Sequence, residues 1–275
     1  MSQPDNTHQR FIQSRDNPLY KRFLRLSSDA SFIARERRKK RAAVVLEGVH
    51  LAQMWLQHVG QPEAVLFCES QLQQNAELQS LHAALPAEIC SVLNASLTGS
   101  LSAVGHGPGV FCLVSPPAPD MPLRLGENAL WLDGVQDPGN VGTLLRTAAA
   151  AGIQQAYLSQ GCAFAWSPKA LRAGQGAQFS MQIHEDCNLP SLRERLDIPL
   201  VVTTLEQAHS LYQEALPRAC AWVFGNEGQG VSQALLSVAD VRLRIPQAEG
   251  VESLNVAASA AICLFEQRRQ QLTGA

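Results

Sequence analysis

The sequence lacks the patterns that mark several common classes of protein. No G-x-x-x-x-G-K-[ST] phosphate loop occurs, which argues against an ATPase or a kinase. No apolar run is long enough to span a membrane, and the polar start, MSQPDNTHQRFIQSRDN, lacks the apolar core of a signal peptide. We therefore expect a cytoplasmic protein that makes no membrane contact.

Patterns typical of metal sites and of disulfides are also missing. The seven cysteines are scattered without a C-x-x-C pair, and the seven histidines are dispersed, so we expect no metal site. Most of the cysteines have apolar neighbours, as in VLFCES and AAICLFE. We predict that they are buried, reduced thiols that pack as small hydrophobic side chains.

The small net charge of −2 hides an excess of basic residues near the N-terminus. Residues 1–50 contain 11 Lys and Arg against 5 Asp and Glu, and RERRKKR, residues 35–41, supplies much of this excess. Such a run is often a solvated helix face or a disordered tail, but apolar residues on both sides make a nucleic-acid-facing patch an equal alternative. The candidate RNA-binding residues are Arg35, Arg37, Arg38, Lys39, Lys40 and Arg41.

Prolines clustered between residues 116 and 122 predict a boundary, since proline prevents a regular helix or a central strand there. We predict a small α/β domain over residues 1–115, a proline-rich linker over 116–126 and a second domain over 127–275. In the second domain, strand candidates such as NALWLDGV and CAWVFGN alternate with helix candidates such as VGTLLRTAAAAG. This alternation predicts an α/β fold with a mostly parallel sheet covered on both faces.

Candidate functional residues concentrate in three loops that lead from predicted strands into predicted helices, where ligands bind on such sheets. The loops are GVQDPGNVG, FGNEGQG and PQAEGVESLN, and the polar residues in or after them are Asn140, Arg146, Asn226, Glu227, Glu252, Ser253 and Asn255. Taken singly, Asn140 fits a turn or a cap and Ser253 fits an ordinary N-cap. Arg146 differs, because its alanine-rich helix predicts buried neighbours and a buried arginine needs a partner or a ligand.

Three segments resemble, in order and spacing, the motifs of a known family. LDGVQDPGNVGTLLRTAAAAG, VFGNEGQGVS and LRIPQAEGVESLNVAASAAICLFE are similar to the three motifs of the SpoU (TrmH) branch of the SPOUT RNA methyltransferases. SPKALRAGQGA resembles the segment between the first two motifs, and the likeness covers roughly residues 128–270. NPLYKRFLRL and AAVVLEGVHL resemble, more loosely, the family's RNA-binding domain, which is related to ribosomal proteins.

The resemblance implies an enzyme that transfers a methyl group from S-adenosylmethionine to a ribose 2′-hydroxyl of structured RNA, ribosomal RNA first and transfer RNA second. It also implies a trefoil knot in the C-terminal sheet and a homodimer with the site near the interface. The family's cofactor pocket, made largely of loop backbone, corresponds here to Gly225, Ile245 and Leu254, with Thr203 and Pro246 nearby. A glycine at 225 suits such a pocket, because backbone without a Cβ can approach a ligand closely.

For catalysis, the resemblance implies a main role for Arg146, with Asn140, Glu227, Ser253 and Asn255 as helpers. The reaction is an in-line displacement, so alignment of the reacting atoms accounts for much of the rate. A protonated arginine is an awkward general base, so we expect Arg146 to stabilise the forming alkoxide and to position the adjacent phosphate. A base role, which requires a neutral guanidine, stays open.

Two other functions remain as alternatives. A non-catalytic RNA-binding protein could use the same fold as a scaffold, although the complete set of motif residues argues against it. A nicotinamide-dependent oxidoreductase would rest on the strand–helix alternation alone, and no G-x-G-x-x-G follows the first strand of either region.

Overall fold

The computed structural model describes residues 10–39, 42–102, 109–250 and 253–274. The chain divides into two compact units between Pro117 and Ala118. All seven cysteines are buried and free, as predicted from their apolar neighbours. Leu125, in the predicted linker, is buried in the core of the second unit, where its backbone N–H donates to the Arg195 carbonyl at 2.9 Å.

The first unit contains a five-stranded mixed sheet among its described residues. Its strands are β1 (Arg10–Ile12), β2 (Val44–Glu47), β3 (Ala64–Cys68), β4 (Cys90–Leu93) and β5 (Val110–Val114), in the order β1-β4-β3-β5-β2. Its helices are α1 (Pro18–Ser28), α2 (Ala30–Arg37), α3 (Val49–His58), α4 (Glu69–Leu72), α5 (Ala76–Ala84) and α6 (Ala95–Thr98). Strand β5 runs antiparallel to both of its neighbours, and the other pairs are parallel.

Helix α1 shows how the sequence of this unit specifies a docked helix. Asn17 caps it, since its Oδ1 accepts the N–H groups of Leu19 and Tyr20 at 2.9 and 3.2 Å. Tyr20, Phe23 and Leu26 recur every third residue and are buried in one core cluster. Truncating the fully buried Phe23 to alanine would destabilise the unit by about 3–5 kcal/mol.

The second unit contains a seven-stranded sheet among its described residues, and every pair of neighbouring strands in it is parallel. Its strands are β6 (Ala129–Asp133), β7 (Gln155–Ser159), β8 (Gln182–Cys187), β9 (Leu200–Thr203), β10 (His209–Ser210), β11 (Ala221–Gly225) and β12 (Val241–Arg244), in the order β10-β12-β9-β11-β6-β7-β8. Its helices are α7 (Pro138–Ala150), α8 (Pro168–Gly174), α9 (Leu189–Leu192), α10 (Gln233–Leu236) and α11 (Val256–Thr273). The predicted α/β fold with a parallel sheet is confirmed, and the trefoil knot stays a prediction.

The position of α7 is fixed by its start and by its packing on α8. Asp137 caps the helix, since its Oδ1 accepts the N–H of Asn140 at 3.0 Å, and Pro138 occupies the first turn. At Gly142, a Cβ would lie 2.2 Å from the carbonyl oxygen of Ala170 and 2.8 Å from the Cβ of Ala173. Only glycine permits this approach, and it sets the helix that carries Asn140 and Arg146.

Candidate active site

A cleft of about 1080 Å³ lies at the carboxyl ends of the central strands of the second unit. It is lined by residues at the ends of four strands: Asp133 of β6, Thr203 of β9, Gly225 of β11 and Arg244 of β12. In open parallel sheets, ligands bind in crevices at this edge. The volume is sufficient for a nucleoside-sized cofactor.

Most of the predicted cofactor residues meet at this cleft. Thr203, Gly225, Ile245 and Leu254 line it, whereas Pro246 is exposed and is not among the lining residues. The lining combines apolar side chains, such as Leu243, with polar loop residues, as in other small-molecule sites.

Gly225 is required for a different reason from the one expected. A Cβ at this position would lie 2.1 Å from the carbonyl carbon of Gly230 and 2.3 Å from the nitrogen of Val231. The loop folds back on itself there, because Asn226 and Gly230 exchange backbone hydrogen bonds of 2.9 and 2.8 Å. The close approach at Gly225 is thus made by the chain's own backbone.

Side-chain hydrogen bonds connect the three predicted motif loops. The Nδ2 group of Asn140 donates to Oε1 of Glu227 at 2.9 Å, and Oδ1 of Asn140 accepts from Nδ2 of Asn255 at 3.2 Å. Oδ1 of Asn255 in turn accepts the N–H groups of Ala257 and Ala258, at 2.9 and 3.3 Å, and so caps α11. Since the cap fixes which end of the Asn255 amide accepts, the donor and acceptor ends of Asn140 follow from it.

The Glu227 carboxylate is held by three donors at the start of α7. Besides Asn140, the backbone N–H groups of Gln136 and Asp137 donate to it, both at 3.2 Å. Partial desolvation acts to raise the pKa of Glu227, but the hydrogen bonds from Asn140 and from backbone amides outweigh it and lower the pKa. This carboxylate is therefore stabilised in its charged form, which suits a structural anchor better than a proton acceptor.

Arg146 and Ser253 are placed differently from Asn140 and Glu227. Arg146 is exposed on α7 and does not line the cleft, and it makes no hydrogen bond or ion pair with the described residues. The predicted burial of its neighbours holds for Leu144, Leu145 and Ala148, but Arg146 itself points away from them, because the buried face of α7 lies on the other side of the helix. Ser253 is exposed and lines the cleft, but the N-cap of α11 is Asn255. Glu252 lies outside the described residues.

The basic run lies at the end of α2, in the first unit. Arg35 is exposed, with its guanidinium 5.0 Å from the centre of the Phe32 ring, and Arg38 is exposed after the helix. Arg37 is half-buried. Lys39 pairs with the buried Glu36, so part of its charge is neutralised within the unit. The predicted RNA-binding residues Lys40 and Arg41 lie outside the described residues.

Four residues that contribute to the site were missed or given no role. Asp137 forms an ion pair with Lys169 of α8 besides capping α7, and the Asp-Pro pair at a helix start is a signal that could have revealed the cap. Asn226 donates from Nδ2 to the Gly134 carbonyl at 2.8 Å and so joins the first two loops. Gln247 lines the cleft, and its buried Oε1 has no hydrogen-bond partner among the described residues.

No helix in the described ranges is both long and apolar enough to cross a membrane. Nor does any group of three or more His, Cys, Asp or Glu side chains lie close enough together there to hold a metal ion.

Comparison with known proteins identifies the family. The SpoU rRNA Methylase family matches residues 127–265. An uncharacterized tRNA/rRNA methyltransferase of Synechocystis is 31% identical over 94% of this chain and 94% of its own length. A 23S rRNA guanosine 2′-O-methyltransferase of Bacillus subtilis is 41% identical over 54% of this chain and 61% of its own length.

A solved structure extends the match over both units. The S-adenosylmethionine-bound rRNA methyltransferase from Sinorhizobium meliloti has a TM-score of 0.79 and 25% identity, and the match covers 95% of this chain and 98% of that one. The family match in the second unit and the nearly full-length relative together decide the assignment. This chain belongs to the SpoU rRNA methylase family.

Proposed function

We propose that this S-adenosylmethionine-dependent RNA 2′-O-methyltransferase acts on ribosomal RNA and works as a homodimer. The observation that carries the proposal is the hydrogen-bonded chain Glu227–Asn140–Asn255, which joins the three motif loops beside the cleft. Ribosomal RNA is favoured because the relatives from Bacillus subtilis and Bordetella pertussis, 41% and 38% identical to this chain over about half its length, are named for 23S ribosomal RNA. Transfer RNA is the second candidate, and a cytoplasmic location is part of the proposal.

The cofactor would be held at Thr203, Gly225, Ile245 and Leu254, with Pro246 adjacent. When bound, S-adenosylmethionine supplies an activated methyl group on its sulfonium. The chain's own residues keep the surrounding loops in place, because Glu227, Asn140 and Asn255 bond to one another or to backbone. We assign these three side chains a positioning role.

Arg146 is the residue proposed to act on the reacting ribose. In the reaction, the ribose oxygen bonds to the methyl carbon as the carbon–sulfur bond breaks, and the hydroxyl proton leaves to phosphate or water. The guanidinium of Arg146 has no partner among the described residues and is available to donate to the developing oxyanion and to a neighbouring phosphate. The exposed hydroxyl of Ser253, in the cleft wall, would contact the RNA backbone.

The proposed homodimer would complete the site. Arg146 does not line the cleft of its own chain, so in this proposal a second copy of the chain brings this arginine to a bound cofactor. Helix α11, which packs on α7, carries Ala258, Phe265 and Leu272 at seven-residue spacing on the face opposite its buried side. Phe265 is 46% exposed and Leu272 is 77% exposed. A second copy is the occupant that would cover these side chains and supply the missing surface.

The first unit is proposed to bind RNA. Arg35 and Arg38 are exposed and carry no ion pair with the described residues, so both can contact phosphates. Lys39, which is paired with Glu36, would contribute less.

The test is methyl transfer to RNA from a strain that lacks this protein. Ribosomal and transfer RNA from that strain are incubated separately with the full chain and radiolabelled S-adenosylmethionine, and 2′-O-methylated positions are then mapped. We expect label in ribosomal RNA of the deletion strain and little in RNA from the parent strain, which is already modified. Label in transfer RNA alone would reassign the substrate, and RNA binding without transfer would favour the non-catalytic alternative.

A further inference from the structure

The side chain of Gln267, on α11, is a buried polar group to which the proposed site gives no role. Gln267 is 3% exposed, and both ends of its amide have partners. Its Oε1 accepts from Nε1 of Trp222 at 2.9 Å, and its Nε2 donates to the carbonyl of Pro217 at 2.8 Å. Nε2 also lies 3.2 Å from Sγ of Cys220 and 3.4 Å from Oδ1 of Asn128. Since an indole N–H can only donate, these partners fix the orientation of the amide.

The partners of Gln267 belong to the strands that carry the first two motif loops. Trp222 lies in β11, which leads into the loop of Glu227, and Asn128 immediately precedes β6, which leads into the loop before α7. Gln267 therefore ties α11 to both strands near their amino ends. The amide of Asn255 joins the other end of α11 to the start of α7, near the carboxyl ends of the same strands. The helix is thus attached by side-chain amides at two separated points.

Apolar packing alone specifies the axial position of α11 weakly. The other buried residues of this helix are Ala257, Ala260, Cys263, Leu264 and Gln270. Small side chains form shallow ridges, which interdigitate little with a neighbouring surface. A buried amide with all its partners is different, because its hydrogen bonds are satisfied in one arrangement only, and single amides fix the register of coiled coils in this way.

We infer that Gln267 is a positioning residue for methyl transfer, which holds α11 at the axial position where Asn255 meets Asn140. The two ends of this connection, Gln267 and Asn255, are about 18 Å apart along the helix at 1.5 Å per residue. The Trp222 ring also stacks on Phe224, with ring centres 6.1 Å apart, and Phe224 lines the cleft. Gln267 itself does not line the cleft, so it acts through these neighbours. The inference rests on the positioning role proposed above for Asn255.

The test is single-turnover methyl transfer by the full chain and by Gln267→Met, measured over a range of RNA concentrations. Methionine keeps the length of the side chain and loses both hydrogen bonds. The rate at saturating RNA should fall about tenfold or more, because small displacements in a site reduce the alignment of the reacting atoms. The RNA concentration that gives half of the maximal rate should stay within about twofold of the parent value. The Tm should fall as well, because a buried indole N–H and a buried carbonyl lose their partners.

Two control variants separate position from stability. Gln271→Met removes a glutamine of the same helix, whose Nε2 donates only to the Arg218 carbonyl among the described residues, and it should transfer at the parent rate. Leu189→Ala opens a core cluster that contains no described residue of α11, so it should lower the Tm and keep the saturated rate below its unfolding temperature. If Leu189→Ala slows transfer as much as Gln267→Met at an equal loss of Tm, stability explains the effect and the inference is wrong.

Trp222→Phe breaks the same connection from the strand, keeps an aromatic ring beside Phe224, and decides the question if Gln267→Met fails to fold. It should show the same fall in saturated rate with little change in the RNA concentration for half of the maximal rate. Combined with Gln267→Met, it should slow transfer by no more than about twofold beyond the slower single variant, since the connection is already lost. Losses that multiply would mean that the two residues act separately, which would overturn the inference.

Asn255→Ala distinguishes failure of the inference from failure of the proposal on which it rests. Transfer at the parent rate in Asn255→Ala would overturn the positioning role of Asn255, and the role of Gln267 with it. A slow Asn255→Ala beside parent rates in Gln267→Met and Trp222→Phe would overturn the role of Gln267 alone. Slow transfer in all three variants, with both controls at the parent rate, is the result we expect.

Discussion

The hydrogen bond between Asn140 and Glu227 can be reversed as well as removed. In the parent chain the Asn140 amide donates to the Glu227 carboxylate at 2.9 Å. Asn140→Asp places a second carboxylate of nearly the same shape against the first one. Adding Glu227→Gln restores most of the complementarity, because an amide nitrogen in the Oε1 position can donate to the new carboxylate while the oxygen in the Oε2 position still accepts from the backbone of Gln136. The backbone N–H of Asp137, which donates to Oε1 in the parent, loses its acceptor.

The expected size of the effect follows from the exposure of the pair. Two carboxylates about 4 Å apart repel by roughly 1 kcal/mol in water and by about 4 kcal/mol at an effective dielectric constant of 20. Protonating one carboxyl sets a ceiling of roughly 3.7 kcal/mol at pH 7. Glu227 is exposed and Asn140 is half-buried, so the repulsion should lie near the lower end of this range. We therefore expect Asn140→Asp to lower the free energy of unfolding by about 1–2 kcal/mol. This corresponds to a fall of about 2–8 °C in Tm.

The sign of the pH dependence provides a second check. In the parent, the lowered pKa of Glu227 gives stability that is present above its unfolded pKa and is lost as the pH falls through its folded pKa. In Asn140→Asp, the two carboxyls share a raised pKa, so the loss is largest at high pH and shrinks as the pH falls. Thermal unfolding by tryptophan fluorescence and single-turnover methyl transfer are measured from about pH 5 to 8, each relative to the parent.

The double variant decides the outcome. If the pair organises the site, Asn140→Asp with Glu227→Gln should regain part of the lost Tm, since the Asp137 N–H stays unpaired, and transfer should recover in the same sense. A double variant that is no more stable or active than Asn140→Asp alone would refute the reasoning, since complementarity between these side chains would then be irrelevant.

Three further outcomes test other parts of the proposal. Arg146→Ala should reduce single-turnover methyl transfer by roughly a hundredfold or more, while its affinity for the cofactor, measured by calorimetry, stays unchanged. Arg146→Lys should restore little of the activity. Transfer at the parent rate in Arg146→Ala would remove this arginine from the mechanism. Phe265→Glu should shift a dimer to a monomer in light scattering; a parent that is monomeric at all concentrations would contradict the interface. The double variant Arg35→Gln, Arg38→Gln should weaken RNA binding. The slope of the logarithm of the binding constant against the logarithm of salt concentration should become shallower by the equivalent of about two phosphate contacts. An unchanged slope would mean that these residues form only a solvated face.

The parallel sheet could be predicted because its strands are buried on both sides. Such strands are short, continuous apolar runs, and β11, which is buried throughout, is a clear case in the sequence AWVFG. The predicted strand segments NALWLDGV and CAWVFGN contain β6 and β11. Strand β10 was not predicted, since it has only two residues, His209 and Ser210, at an edge of the sheet and no apolar run to mark it.

The environment of Arg146 could have been predicted better from helical periodicity. Leu144, Leu145 and Ala148 are buried on one side of α7, and successive residues turn by roughly 100°. Arg146 and Thr143 therefore fall on the other side, where both are exposed. The alanines around Arg146 suggested burial on all sides, but alanine is common on both faces of a helix because it is the best helix former.

The contacts within the site depend on strand register, which the sequence does not reveal. Asn140 and Glu227 are 87 residues apart, and Asn140 and Asn255 are 115 residues apart. Residues Asp133 and Gly225 are partners at the ends of β6 and β11, so the loops that follow these strands begin side by side. A shift by one residue would turn each side chain to the other face of the sheet. The buried pair Trp131 and Val223 belongs to the same register, so its packing also helps to hold the polar site in place.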